Sequence, residues 1–262
     1  MNAKLMTPIL AAAGLALATL IPAASVQAAG GGVELRHVDW SFDGPFGTFD
    51  RSSLRRGYQV YQEVCASCHA MDLLHFRNLG DEGGPEFTVD EVKAIAAEYE
   101  VEDGPDDEGD MFMRPALPKD RLPAPFANDE AAKSANGGAL PPDLSLITKA
   151  RVDGPNYVYS LLTGYEETPD GVEMAPGMHY NPYFPGHQIA MAPPISEDIV
   201  EFEDGTPATV DQIAEDVVMF LTWAAEPKLE ERHRIGFMSM LYLIGLAGLL
   251  YFATRRAWSD QH

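Results

Sequence analysis

The chain has 262 residues, of which 46% are hydrophobic, enough for one sizeable domain with attached segments. Its 40 acidic residues against 18 basic ones give a net charge of −22, which argues against nucleic acid as a partner and favours a basic protein. A merely soluble acidic surface is the alternative interpretation. The carboxylates are clustered, however, because Glu98–Asp110 contains eight of them and no basic residue. This clustering strengthens the expectation of a basic partner.

Residues 1–28 are predicted to be a cleaved secretory signal peptide. Lys4 is their only charge, an apolar run covers residues 9–20, and Val26-Gln27-Ala28 has the small-residue pattern of a cleavage site. Cleavage would take the net charge from −22 to −23, because Lys4 leaves with the peptide. The domain formed by residues 29–227 is therefore expected on the exported side of the membrane.

Residues 37–65 are predicted to form an extended segment followed by a helix. Residues 37–50 are expected to be extended, after which Ser52 or Ser53 caps a helix. One face of that helix carries Leu54, Tyr58, Tyr61 and Val64 or Cys65 at helical spacing. The extended segment supplies four aromatic packing anchors: Trp40, Phe42, Phe46 and Phe49.

The helix runs into Cys65-Ala66-Ser67-Cys68-His69, which has the spacing of c-type haem attachment. Two thiols three residues apart can add across both vinyl groups of one porphyrin, and the loop can deliver His69 Nε2 to the iron. The face of the preceding helix is then expected to bury against this porphyrin. A dithiol redox motif is the alternative, but it usually needs a βαβ setting that the flanks lack. Both cysteines of the chain lie in this motif, so no thiol remains for a structural disulfide.

Further helices are predicted from capping patterns along the rest of the domain. Thr88 opens a capping box whose helix is broken by the acidic run at Gly104-Pro105, and residues 111–125 are expected to be an irregular, ordered loop. A short helix is also expected to end at Arg151, and residues 165–205 form a long loop that should have a function. The other predicted helix starts are at Asn128, Pro155 and Thr209.

Residues 235–254 are predicted to be a transmembrane anchor helix, because twenty residues without a charge span about 30 Å. A buried helix of a soluble domain is the alternative, but the basic and aromatic flanks are typical of a membrane span. Residues 228–234 are assigned to a juxtamembrane segment and residues 255–262 to a cytoplasmic tail. A positive-inside count would place the domain in the cytoplasm, whereas the signal peptide favours export, with the helix as stop-transfer.

A haem iron bound by His69 has a second axial position, and filling it suits electron transfer whereas leaving it open suits gas binding or peroxide chemistry. Met191 lies in an apolar loop stiffened by two prolines, which can hold a weak thioether–iron bond, although a methionine is more often a core residue. Met71 is too close to His69, and Met111 and Met113 adjoin the acidic run. The candidates that remain beside Met191 are the histidines outside the motif, His179 and His187 among them, and Met174 and Met178.

The chain resembles the cytochrome c1 family, the haem subunits of membrane-bound quinol–cytochrome c reductases. The likeness covers nearly all of the chain after the signal peptide and rests on many separate strings in the same order. These strings are Arg55–Tyr61, Asn136–Leu144, Leu161–Tyr165, Asn181–Gly186, Met191–Pro194, Asp204–Thr209 and Trp223–Pro227. Some bacterial members carry an additional cysteine pair, which is absent from this sequence.

The resemblance implies an all-α, cytochrome-c-like haem domain with long loop insertions and one C-terminal transmembrane helix. It implies one covalent c-type haem attached through Cys65 and Cys68, with His69 and Met191 as the iron ligands. It also implies that Arg151 pairs with a haem propionate. Other residues implied to line the pocket are Asn136, Pro141, Pro142 and Tyr157.

The function implied by the resemblance is one-electron relay from a Rieske iron–sulfur protein through the haem to a soluble c-type cytochrome. The implied setting is a dimeric complex with a cytochrome b subunit in the bacterial inner membrane, with the haem domain in the periplasm. No side chain of this chain is then needed as acid, base or nucleophile. The alternatives are a tethered cytochrome serving another oxidase or reductase, and a five-coordinate haem enzyme or sensor.

Overall fold

The structure is a computed structural model that describes residues 33–259, so the predicted signal peptide lies outside the described residues. This part of the chain is mostly helical, which confirms the predicted all-α class. A π-helical turn at Tyr61–Cys65 and a 3-10 helix at Phe76–Gly80 accompany the α-helices. The α-helices are α1 Arg51–Val60, α2 Val89–Ala97, α3 Asp129–Ala135, α4 Gly154–Thr163, α5 Val210–Ala225 and α6 Leu229–Ser259.

Two short antiparallel strand pairs complete the described fold, β1 Glu100–Asp103 with β2 Phe112–Pro115 and β3 His179–Tyr180 with β4 Gln188–Ile189. The prediction that residues 111–125 are wholly irregular is wrong at β2. The prediction that the helix opened by Thr88 is broken only at Gly104-Pro105 is also wrong, since α2 ends at Ala97 and the acidic run folds back as a hairpin.

The hairpin is stabilised by contacts between residues that are distant in sequence, and single-residue propensities do not describe such contacts. Val101 lies opposite Arg114 in the register and packs partly buried against the core. The Arg114 guanidinium pairs with the carboxylates of Asp103 and Asp120, which neutralises one carboxylate of the acidic run at the end of β1. The tip of the hairpin is left as an exposed cluster of carboxylates.

The core forms where α1 packs against α5. A Cβ atom on Gly57 would lie 2.0 Å from the carbonyl oxygen of Asp216, so only glycine permits this backbone approach. The rings of Tyr58 and Tyr61 lie 5.6 Å and 5.8 Å from that of Phe220, measured between centroids. The prediction that this face of α1 packs against the porphyrin is therefore wrong, because α5 covers it.

Helix capping follows the sequence at most positions. The Thr88–Glu91 capping box is present, and Asn128 and Thr209 each accept a backbone N–H from the first turn of their helix. The α1 cap is an exception, because the Asp50 carboxylate accepts from the Ser53 amide at 2.8 Å. The predicted caps at Ser52 or Ser53 are wrong by two or three residues.

The segment before α4 contains hydrogen-bonded turns at residues 145–149 in place of the predicted helix. The turns bring the chain back onto the start of α4, where a Cβ atom on Gly154 would lie 1.6 Å from the Thr148 carbonyl oxygen. A straight helix to Arg151 would not allow this close return. Pro155 does occupy the first turn of α4, as predicted.

Three of the four aromatic anchors near the start of the domain are buried: Trp40, Phe42 and Phe49. Phe46 is 70% exposed and does not join the other three in the core. Its ring instead contacts Phe237 of α6, with centroids 5.3 Å apart. The loop that carries Phe46 therefore reaches the long helix.

Helix α6 has 31 residues and is the one helix in the described part of the chain long and apolar enough to cross a membrane. The predicted anchor, residues 235–254, lies within it. The predicted juxtamembrane segment is helical from Leu229 onward, so anchor and juxtamembrane segment form one continuous helix. Glu230 in its first turn accepts the Phe49 amide at 2.8 Å and pairs with the Arg51 guanidinium through both oxygens, each at 2.8 Å.

We expect a chain truncated after Glu231 to be found in the soluble fraction with its haem attached. The truncation removes the apolar run but keeps Glu230 and its contacts with Phe49 and Arg51. A matched truncation after Glu226 removes Glu230 and the buried Leu229 as well, and should unfold at a lower urea concentration. Fractionation, haem staining and urea unfolding measure these outcomes. A Glu231 fragment that stays with the membrane or lacks haem would contradict the expected boundary.

Candidate haem site

The Cys65–His69 motif begins at the end of a π-helical turn. The Ala66 amide donates to the Tyr61 carbonyl at 2.8 Å, five residues back, and the Cys68 and His69 amides both donate to the Cys65 carbonyl, at 3.1 and 2.9 Å. Such π turns widen the end of a helix and are frequent at functional sites. Both cysteines are free thiols and half-buried. The backbone therefore holds two thiols and an imidazole together on one tight turn.

The His69 ring is fixed by its Nδ1 atom, which lies 2.8 Å from the Pro142 carbonyl oxygen. A carbonyl only accepts, so Nδ1 carries the proton and the lone pair of Nε2 is free for a metal. Burial lowers the pKa of His69, with the Pro142 carbonyl and Asp143 acting in the opposite direction. A neutral imidazole with Nε2 available is the form that ligates iron.

The segment around Pro142 is held by two hydrogen bonds between residues 143–144 and residues 70–72, which directly follow the motif. The Leu144 amide donates to the Ala70 carbonyl at 2.9 Å. The Asp72 amide donates to the Asp143 carboxylate at 2.8 Å. These bonds keep the Pro142 carbonyl in place under His69, and they bring two predicted pocket residues, Pro141 and Pro142, beside the motif.

The other predicted pocket residues lie on separate elements, and within residues 33–259 none of them hydrogen-bonds to the motif. Asn136 ends α3, where its side-chain amide donates to the Ala132 carbonyl at 2.8 Å. Tyr157 lies in α4, partly buried against the core. Arg151 is exposed and donates to its neighbour's carbonyl at 3.0 Å, without a carboxylate partner in the described part of the chain.

Met191 follows β4 and is half-buried. Its carbonyl oxygen accepts a hydrogen bond from the Tyr165 hydroxyl at 3.0 Å. Burial raises the pKa of Tyr165, so the hydroxyl remains a donor. This bond ties Met191 to the start of the long loop.

The loop is also anchored at Asn181, which is fully buried. Its side-chain amide donates to the Leu161 carbonyl of α4 at 2.8 Å. Its backbone amide donates to the His187 carbonyl at 3.1 Å. The long loop is thereby attached to the helical core on one side of Met191 while Pro193 and Pro194 stiffen the other.

The competing axial candidates occupy different surroundings. Met71 is fully buried in the hydrophobic core, and Met111 and Met113 are exposed on the hairpin. Met178 and His179 lie with Tyr165 along a shallow groove of about 420 Å³. His187 has its Nδ1 atom 2.9 Å from the Pro182 carbonyl oxygen.

The donor set at the motif fits a covalently attached haem. Two free thiols are available for thioether bonds, and an imidazole held through Nδ1 presents Nε2 to an iron. Together with the fold, these features define the class of protein: a helical haem-binding domain continuous with a single long apolar helix.

Comparison with known proteins identifies the family. The family model described as "Cytochrome C1 family" matches residues 40–261, so the chain belongs to the cytochrome c1 family. A covalent c-type haem is typical of this family.

Named relatives cover most of the chain. "Cytochrome c1" of Rhodospirillum rubrum is 47% identical over 267 residues, covering 96% of each chain. "Cytochrome c1 1, heme protein, mitochondrial" of Arabidopsis thaliana is 53% identical over 237 residues, 90% of this chain and 76% of the relative. "Cytochrome b/c1" of Bradyrhizobium diazoefficiens is 50% identical over 242 residues, 85% of this chain. The present chain spans only 35% of that last relative's length.

Proposed function

We propose that the chain is the haem subunit of a membrane-bound quinol–cytochrome c reductase. In this role it passes single electrons from a Rieske iron–sulfur protein to a basic, soluble c-type cytochrome. The observation that carries the proposal is the turn at Cys65–His69, which presents two thiols and a free Nε2 on a domain continuous with a membrane-spanning helix. Membership of the cytochrome c1 family supports the same role.

Each residue of the site has a defined task in the proposal. Cys65 and Cys68 would hold the haem through thioether bonds, and His69 Nε2 and Met191 Sδ would ligate its iron. When bound, the haem supplies one-electron chemistry between Fe(III) and Fe(II). The Pro142 carbonyl orients His69, and such outer contacts fix both the tautomer and the ring direction of a ligating histidine.

Met191 contributes to the potential as well as to the binding of the haem. A thioether is a soft ligand that favours Fe(II), so it raises the reduction potential. The Tyr165 bond and the two prolines restrain the loop that carries Met191. Little then has to move when an electron arrives or leaves.

The remaining pocket residues are assigned to the haem periphery. Arg151, a cation without a carboxylate partner among residues 33–259, is available to a haem propionate. Asn136, Pro141 and Tyr157 line the pocket around it. These contacts neutralise the propionate and exclude water from the macrocycle.

The proposed setting is the bacterial inner membrane, with the haem domain in the periplasm and residues 255–262 in the cytoplasm. The predicted signal peptide and the single apolar helix support this orientation. The partners are a cytochrome b subunit and a Rieske protein in a dimeric complex. A relative whose name joins cytochrome b with c1 supports the first of these partners.

The test is purification of the tagged full chain in mild detergent, with identification of its companions. The proposal predicts that a cytochrome b and a Rieske protein co-purify and that the preparation reduces a basic cytochrome c with quinol. A chain that co-purifies with a different oxidase or reductase instead, or a preparation without quinol-dependent activity, would contradict it.

The tip of the acidic hairpin is the expected source of salt-dependent docking. The Asp106 side chain accepts the Glu108 and Asp110 amides at 2.9 and 3.0 Å, and the Asp110 and Glu108 bonds hold the pKa of Asp106 below its ordinary value. Asp106 is therefore ionised at neutral pH, on an exposed turn with Asp107 and Glu108. Exposed charges of this kind raise association rates with a basic partner.

Replacing Asp106, Asp107 and Glu108 with their amides should slow reduction of a basic cytochrome c by about twofold to fivefold at low ionic strength. Variant and parent rates should converge at high salt, because the field is screened. Stopped-flow mixing at two ionic strengths measures both effects. A control replaces three exposed carboxylates elsewhere with amides and should have a smaller effect: Asp198, Glu201 and Glu203. Parent rates independent of salt would contradict electrostatic docking.

A further inference from the structure

A groove of about 390 Å³ lies where α6 leaves the haem domain. One wall is the loop at residues 45–48, and the other is the first half of α6 from Glu230 to Met238. The uncharged run of α6 begins at Ile235, so the groove straddles the boundary between the charged and the apolar parts of the helix. In a membrane-spanning helix this boundary lies at the level of the lipid headgroups.

The loop is built to hold an aromatic side chain against the helix. A Cβ atom on Gly47 would lie 2.2 Å from the Phe42 backbone, so the turn requires glycine there. The Thr48 amide closes the loop by donating to the Ser41 carbonyl at 2.9 Å. Phe46 projects from this turn onto Phe237 and remains 70% exposed. A fixed and exposed aromatic pair is costly in water but favourable at a lipid interface.

The carboxylate and the guanidinium that line the groove do not pair with each other. Glu230 is its one carboxylate, and it is already engaged by the Arg51 guanidinium and the Phe49 amide. His233 has its Nδ1 atom 3.3 Å from the Gly47 carbonyl oxygen. Arg234 also lines the groove and forms no ion pair within residues 33–259. A basic side chain without a carboxylate partner therefore stands directly above an apolar surface.

We propose that this groove binds an anionic phospholipid. The Arg234 guanidinium pairs with the headgroup phosphate, and one acyl chain lies against Phe46, Phe237 and Met238. The bound lipid would fill the gap between the domain and its anchor and complement the unpaired charge. This site is separate from the haem, and the inference does not depend on the proposed electron-transfer role.

The chemistry of the groove selects this occupant over others. A soluble anion would gain the Arg234 contact but would leave the aromatic and methionine surface exposed. A neutral apolar ligand would cover the aromatic and methionine surface but would leave the Arg234 guanidinium unpaired. An anionic phospholipid satisfies both, and a volume of about 390 Å³ is within the usual range for a site holding part of a ligand of this size.

The test uses the full, haem-loaded chain in its native membrane complex, reconstituted in phosphatidylcholine vesicles. The vesicles contain a small fraction of phosphatidylglycerol with a photoactivatable acyl chain, and labelled peptides are mapped by mass spectrometry. We expect labelling at residues 45–48 and 237–238. A phosphatidylcholine probe with the same acyl chain should label these residues several-fold less.

Arg234→Gln should reduce labelling by the anionic probe about fivefold, the equivalent of about 1 kcal/mol per basic residue near a membrane surface. Arg232→Gln is the matched control, because this substitution removes the same charge from the same turn of the helix. Arg232 itself pairs with Glu226 and does not line the groove. It should leave the labelling unchanged.

Three outcomes would overturn the proposal. Equal labelling by the two probes would mean that the groove meets only bulk lipid. Equal losses in the Arg234 and Arg232 variants would mean a general surface charge effect. Complete absence of labelling at residues 45–48 in the assembled complex would mean that a protein subunit covers the groove.

Discussion

Replacing Met191 with leucine is expected to leave the haem covalently attached but to lower its reduction potential. The thioethers proposed at Cys65 and Cys68 do not depend on the second iron ligand, so attachment should persist. Loss of the soft sulfur removes its preference for Fe(II), and the drop should be on the order of 0.1 V within the ~0.8 V that axial ligands span. The sixth position should open to carbon monoxide.

Redox titration and carbon monoxide difference spectra of the reduced protein measure this result. The matched control is Met178→Leu, a methionine of the same long loop. It should keep the parent potential and resist carbon monoxide. An unchanged potential in the Met191 variant, with no carbon monoxide binding, would remove Met191 from the ligand set. The same two changes in the Met178 variant instead would assign the ligand there.

Replacing Arg56 with methionine is expected to destabilise the haem domain by about 3–5 kcal/mol, because it breaks a buried ion pair from one side. The guanidinium binds the Asp216 carboxylate through two contacts, at 2.7 and 2.9 Å, and Asp216 has no exposed surface. Burial raises the pKa of Asp216 although Arg56 opposes the shift. Without Arg56 the carboxylate must remain charged and unpaired in the core or take up a proton.

The control for this prediction is Asp204→Asn, which removes the exposed partner of the same guanidinium. That pair is equally short at 2.7 Å, but the Asp204 side chain is 43% exposed. Exposed pairs contribute about 0–1 kcal/mol, and the amide oxygen can still accept the Thr206 amide. Urea unfolding of both variants in detergent compares the two losses. Equal losses would contradict the importance of burial.

The features predicted correctly from the sequence are those whose physical cause lies within a few residues. Thr88, Asn128 and Thr209 cap helices because each side chain binds a backbone amide of its own first turn. The Cys65–His69 motif is equally local, since it is defined by the spacing of five residues, and family membership confirms the haem that this motif predicts. The predicted cap of α1 is wrong because Asp50, Ser52 and Ser53 are all suitable N-cap residues. Only the backbone conformation decides which of them starts the helix.

The features that escaped prediction depend on contacts between distant segments. The Pro142 carbonyl orients His69 across 73 residues, and the Tyr165 hydroxyl holds Met191 across 26. No short pattern encodes either contact. Periodicity indicated that Tyr58 lies on a buried face of α1, but it did not identify α5 as the neighbour.

The exposure of Phe46 does not follow from hydrophobicity alone. Phe46 belongs to a segment whose other aromatic side chains, Trp40, Phe42 and Phe49, lie in the core. Its own residue type does not distinguish it from them. Its exposure follows from the turn at Gly47, which directs it toward Phe237 of α6. The position of the anchor helix relative to the domain had to be known before this could be predicted.

The measurement that tests the proposed function most directly is the order of reduction after quinol is mixed with the purified complex and an oxidised basic cytochrome c. Rapid-scanning absorbance follows the haem attached at Cys65 and Cys68 separately from that of the soluble cytochrome. We predict that the haem of this chain is reduced first and that the soluble cytochrome is reduced at the rate at which this haem passes on its electron. Full-rate reduction of the soluble cytochrome while this haem remains oxidised would contradict the proposed function.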